Sequence, residues 1–159
     1  MADRIIELQW ATEDSTLQAI LTQARCQAWL TEALQPDLAE TDIEITLRIV
    51  DNEESQQLNR DYRGMDKPTN VLSFEFDMPF ELDVDEPLYL GDLVVCAPVV
   101  AQEAKDQGKS LEAHWAHMLV HGCLHLQGFD HIDDREAEQM EALEQQIMQR
   151  LGFDNPYND

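Results

Sequence analysis

The run from Ser110 to His131, SLEAHWAHMLVHGCLHLQGFDH, decides how the rest of the chain must fold. Ser110 is a good helix N-cap, and Gly128 is the residue type that ends a helix by taking φ > 0, so a helix is predicted from Leu111 to about Gln127. Leucine, tryptophan, alanine, methionine and valine occur on nearly every side of it. A helix apolar all round is buried, so this one runs through the centre of the fold. At 100° per residue His114, His117, His121 and His125 fall within an arc of about 80°. A polar stripe on a buried helix must be met by something.

His121 and His125 stand four apart, on one face, where two neutral imidazoles can take the same divalent metal ion. Gly128 turns the chain back so that His131 can join them. Three protein ligands are the set of a catalytic metal, whereas structural zinc sites close with a fourth. Histidines on a core helix are often incidental, but few spacings bring three imidazoles onto one ion. One divalent metal ion, zinc by preference, is the expected cofactor. The same spacing is the zinc signature of a metalloprotease clan, in which a glutamate follows the first histidine as general base. Here that residue is Gly122, and peptidase chemistry loses its proton acceptor. Asp130, beside His131, is open to two readings, a cap or a base.

His114 and His117 lack a third partner brought in by a turn. They are read as supporting or substrate-contact residues, or as plain packing.

The chain has 159 residues, 43% hydrophobic and 27% charged, which fits one globular domain. No apolar run approaches the roughly 20 residues of a membrane span, and the N-terminus has no cleavable signal organisation. Cys26, Cys96 and Cys123 are odd in number and unpatterned, as expected of reduced thiols in a cytoplasmic protein. Cys123 lies about 200° round the helix from His121 at 100° per residue, and is assigned to the core. There are 33 Asp and Glu against 10 Lys and Arg, a net charge of −23. That balance disfavours nucleic acid in general. Three of the basic residues, Arg60, Arg63 and Lys67, are nonetheless clustered, and guanidinium forks match phosphate oxygens.

Around the central helix, strands are predicted at Ile5–Trp10, Ile43–Val50, Val71–Phe76 and Leu88–Cys96, the second by its strict alternation. Gly91-Asp92 marks a bulge or a close backbone approach within the fourth strand. Helices are predicted from about Ser15 to Ala33, from a cap at Asp51 and Asn52 to about Tyr62, and from Pro98 to Gly108. A last helix, capped by Asp133 or Asp134, carries an apolar face of Ala137, Met140, Leu143, Ile147 and Leu151. Residues 77–87, with five carboxylates and two prolines, read as a solvated connection. The sum is one α+β domain over residues 1–159, with a mixed sheet of about four strands packed with helices.

Three blocks carry a family resemblance. They are Leu58 to Phe74 (LNRDYRGMDKPTNVLSF), Gly91-Asp92-Leu93, and Glu112 to His117 leading into the histidine motif. Together they closely resemble the YbeY family of bacterial endoribonucleases, a likeness running from about Ile43 to Tyr157. The resemblance implies a metal-dependent, single-strand-specific endoribonuclease acting in 3′-end maturation of 16S ribosomal RNA and in ribosome quality control. It implies His121, His125 and His131 as metal ligands and Arg63 as the arginine needed for activity. Arg60, Lys67, His114 and His117 are candidate substrate contacts. Single-stranded RNA and the ribosome or its proteins are the expected partners, with no membrane and no DNA. The chain departs from the family where Met65 replaces a common lysine and Glu75 a common proline. Two alternatives stand beside this reading: a zinc peptidase-like hydrolase, and a non-catalytic, metal-containing ribosome assembly factor.

Overall fold

Side-chain alternation builds one sheet from β1 (Arg4–Ala11), β2 (Ile43–Val50), β3 (Val71–Glu75) and β4 (Leu88–Cys96). The computed structural model describes residues 3–38, 40–75, 88–129 and 133–157. Among these the strand order is β1-β2-β4-β3, with β1, β2 and β4 parallel and β3 antiparallel to β4. The expected α+β domain with a mixed four-stranded sheet is therefore present, and β3 is an edge strand.

β4 carries a bulge at the place expected. Ile43 and Glu44 pair with Leu88 and Tyr89, but Ile45 pairs with Gly91, leaving Leu90 as the extra residue. The slip lets Leu90 and Leu93, three apart, face the same core. Gly91 has φ 147°, and a Cβ there would lie 2.3 Å from the Phe74 carbonyl oxygen, so both conditions require glycine.

Five α-helices cover the sheet among the described residues: α1 (Gln23–Ala33), α2 (Asn52–Arg63), α3 (Ala97–Gln107), α4 (Leu111–Leu126) and α5 (Asp134–Arg150). The main core lies on one face, where Ile45, Leu47 and Leu93 of the sheet meet Trp29, Leu30, Trp115, Leu119 and Leu124, all buried. Each such aliphatic side chain contributes about 1.5–3 kcal/mol by leaving water. On the other face Leu58 of α2 packs on Val50, Leu72 and Val94. Successive residues of β3 serve opposite faces, Val71 the first cluster and Leu72 the second.

Three expectations need correction. The single helix over Ser15–Ala33 is broken into a 3-10 turn, Ser15–Ala19, and α1. Thr22 interposes as the α1 cap, its Oγ1 accepting from the Arg25 N–H at 3.1 Å. Asp51 precedes α2 but does not cap it with its side chain, because its carboxylate accepts from Thr12 Oγ1 (2.5 Å) and Glu13 N–H (3.1 Å) instead. β1 reaches one residue further at each end than predicted, in register with β2 along its whole length. The expected caps at Ser110 and Asp133 are formed, accepting from Ala113 N–H (3.1 Å) and Glu136 N–H (2.8 Å). Residues 77–87, Asp130 and His131 lie outside the described residues.

Candidate functional site

α4 is buried through most of its length, and its histidines divide between two environments. His121 Nε2 and His125 Nε2 face each other 3.2 Å apart. Two nitrogens on a tetrahedral zinc, each at 2.0–2.1 Å, stand about 3.3 Å apart, so this pair is spaced as one edge of such a site. Gly128 has φ 97° and its N–H donates to the His125 carbonyl at 3.0 Å, the left-handed turn predicted to end the histidine helix. His131 itself is among the residues not described.

Behind the pair sits Glu144 of α5, fully buried. Its Oε1 is 2.5 Å from His121 Nδ1 and 3.5 Å from His117 Nε2, and its Oε2 accepts from the Tyr157 hydroxyl. Burial alone would raise the pKa of this carboxyl. The hydrogen bond from His121 and the nearness of His117 outweigh burial and hold the group below the ordinary carboxylate range. An ionised Glu144 only accepts, so a His121 ring that carries a single hydrogen holds it on Nδ1 and leaves the Nε2 lone pair beside His125. Metal-binding histidines are held in this way by carboxylates. Burial also raises the Tyr157 hydroxyl pKa, and Glu144 raises it further, so the phenol stays a donor.

Gly122, the departure from the peptidase signature, faces the sheet. A Cβ there would lie 2.7 Å from Leu93 Cδ2 and 3.2 Å from Val71 Cγ2, and the Gly122 carbonyl accepts from Ser73 Oγ at 3.2 Å. α4 approaches β3 and β4 so closely at this point that the general-base glutamate of a peptidase has no room. The zinc peptidase alternative loses its support.

His121 and His125 open into a cleft of about 750 Å³ that follows the edge strand β3 and is also lined by Tyr62, Arg63, Ser73 and Phe74. Arg63, the last residue of α2, thus shares a cavity with the histidine pair. The loop after it is tied down from α2. Ser55 Oγ donates to the Thr69 carbonyl and accepts from the Thr69 N–H, both at 3.0 Å, and Asn59 Nδ2 donates to the Lys67 carbonyl at 2.8 Å.

The other basic residues are not gathered there. Arg60 points to the outer side of α2, beside Glu53, Gln56 and Gln57, and within 3.8 Å of Asp66 and 3.7 Å of Asp61. Lys67 is exposed in the loop and does not line the cleft. His114 and His117 line a neighbouring hollow with Glu103, Lys109 and Tyr157. Burial lowers the His114 pKa below its ordinary value despite the 3.0 Å hydrogen bond between its Nε2 and Glu103 Oε1. Cys123 is buried in the core, its thiol pushed up to about 12.

Sequence reading missed Glu144, although a trace was present. It is the one acidic residue at a core position of the apolar stripe that runs Met140, Glu144, Ile147 along α5. Ser55 and Asn59, buried on α2, left no comparable signal.

The histidine pair held by Glu144 and the arginine at the end of α2 share one cleft along β3, an arrangement suited to a divalent ion beside a phosphate group, on an α+β scaffold. The comparisons with known proteins say which family carries it. The chain matches the family described as Endoribonuclease YbeY over residues 8–152. It is 56% identical over 154 residues to a protein of Hydrogenovibrio crunogenus named Endoribonuclease YbeY, covering 96% of each chain. The chain belongs to the YbeY endoribonuclease family, metal-dependent nucleases of ribosomal RNA processing. In fold it is also similar to the solution structure of a Thermotoga maritima protein, with TM-score 0.53 and 20% identity, covering 98% of this chain and 100% of that one.

Proposed function

We propose that the enzyme cuts single-stranded RNA in the cleft along β3, at a zinc ion held by His121, His125 and His131, and that its substrate is the 3′ region of 16S ribosomal RNA. The observation that carries this reading is the shared cavity: Arg63 lines the same space as His121 and His125, whose Nε2 atoms are 3.2 Å apart.

The two described histidines fit a divalent ion by spacing and by tautomer. Such an ion supplies Lewis acidity to a phosphodiester oxygen. Glu144 keeps the His121 Nδ1 proton in place and so holds Nε2 as a donor atom. Arg63 donates N–H bonds to the non-bridging phosphoryl oxygens, where negative charge builds during in-line displacement. Ser55 and Asn59 hold the loop beyond Arg63 and limit its movement.

The test pairs metal content with cleavage of an end-labelled single-stranded RNA. His125→Ala is expected to lose both metal and cleavage. Arg63→Ala is expected to keep metal and lose cleavage. Cleavage by both variants equal to that of the wild type would overturn the assignment.

The net charge of −23 favours a further contact with basic ribosomal proteins. Co-sedimentation of Arg63→Ala with small subunits, at wild-type levels, is the expected result if recruitment is separate from catalysis. The absence of disulfides among three buried cysteines supports a cytoplasmic location.

A further inference from the structure

Tyr62 precedes the cleft arginine and is 68% exposed, the most exposed of the large hydrophobic side chains among the described residues. It is not loose. Its ring meets Phe74 edge to face, with centroids 5.1 Å apart and planes at 70°. Phe74 is anchored in turn, packing with Leu58 and Val99 on the cluster of Val50, Leu72 and Val94. Both rings line the same cleft as Arg63, His121 and His125. A rigidly backed aromatic ring, turned outward beside a phosphate-type arginine, has an apolar surface that nothing in the described fold uses.

The charge of the protein gives such a surface a use. Proteins that bind single strands combine a basic groove with aromatic platforms. Here the groove is poor in cations, since Arg60 is close to two aspartates and Lys67 stands outside the cleft. With 33 acidic residues against 10 basic ones, counterion release supplies little binding, and base stacking must supply more.

We propose that Tyr62, braced by Phe74, is a stacking platform for one unpaired nucleobase of the RNA, the base next to the phosphate engaged by Arg63. A base held in a duplex already stacks on its neighbours, so the platform selects for unpaired RNA. The inference rests on the cleft being the RNA site. It adds a base-binding subsite that ignores base identity, because every base has a π-face.

The experiment uses a single-stranded RNA with a mapped cleavage position and a series of the same RNA with one abasic nucleotide at each position flanking it. The proteins are the wild type, Tyr62→Phe, Tyr62→Leu and Tyr62→Ala, the change being confined to an exposed side chain. For the wild type and Tyr62→Phe, one abasic position is expected to raise KM about tenfold with kcat little changed. Tyr62→Ala is expected to raise KM for intact RNA by a similar factor and to be indifferent to the abasic nucleotide. Full abasic discrimination by Tyr62→Ala, or recovery by Tyr62→Leu equal to that by Tyr62→Phe, overturns the stacking role. Arg63→Ala and His125→Ala are run alongside. If these still cut, the cleft is not the RNA site and both readings fall. If they do not cut while Tyr62→Ala discriminates as the wild type does, only the platform falls.

Discussion

Glu144 Oε1 lies 2.5 Å from His121 Nδ1, so a carboxylate from the last helix sets which nitrogen of a histidine on the preceding helix is offered to the cleft. Tyr157 bonds the other oxygen of the same carboxylate, which ties the C-terminal segment to the site. Replacing Glu144 by glutamine keeps the size and removes the charge. Zinc affinity, measured by competition with a chromophoric chelator, is expected to fall by about 10- to 100-fold. An unchanged affinity would mean that the hydrogen bond does not tune the ligand.

His114 gives the fold a pH dependence of definite sign. Its folded pKa is below the ordinary 6.5 because burial disfavours the charged ring more than Glu103 favours it. In the unfolded chain the ring takes a proton as pH falls through about 6.5, while the folded chain resists doing so. Stability contributed by the neutral ring is therefore present above that pH and lost below it. Urea midpoints at pH 7.5 and pH 5.5 should differ less for His114→Gln than for the wild type; equal differences would place the sensitivity elsewhere.

Gly122 is a packing requirement. The methyl of Gly122→Ala needs the ends of Leu93 and Val71 to shift, an overfilling cost of about 1–3 kcal/mol set against about 1 kcal/mol of helix preference for alanine, so a net loss of up to about 2 kcal/mol is expected. Thermal melting should register that loss. Gly122→Glu restores the peptidase signature on paper, yet it should yield a destabilised protein with no casein cleavage. A stable variant that cut casein in a chelator-sensitive way would contradict this packing.

RNA affinity should depend only weakly on salt. With Arg63 in the cleft, and at most Arg60 and Lys67 in addition, the slope of log K against log salt is expected between about −0.7 and −2 for a single strand. Fluorescence anisotropy from 50 to 300 mM salt would measure it. A slope clearly steeper than about −2 would require phosphate contacts from residues outside this cluster.

Much of this protein was legible from local pattern. The spacing of His121, His125 and Gly128, the caps at Ser110 and Asp133, and the alternation over Ile43–Val50 are consequences of helix and strand periods, which act over a few residues and leave their mark in order along the chain. The bulge at Leu90 was foreshadowed by Gly91 for the same reason.

Tertiary structure alone decided the rest. β4 inserts between β2 and β3, which makes β3 an edge and gives the cleft its floor. Glu144 meets His121, Arg63 and Tyr62 come to the histidines from the far end of α2, and Arg60, one turn earlier, is turned away. These juxtapositions arise from how helices pack across a twisted sheet. Packing is set by the shapes of surfaces distant in sequence, so no local period records it.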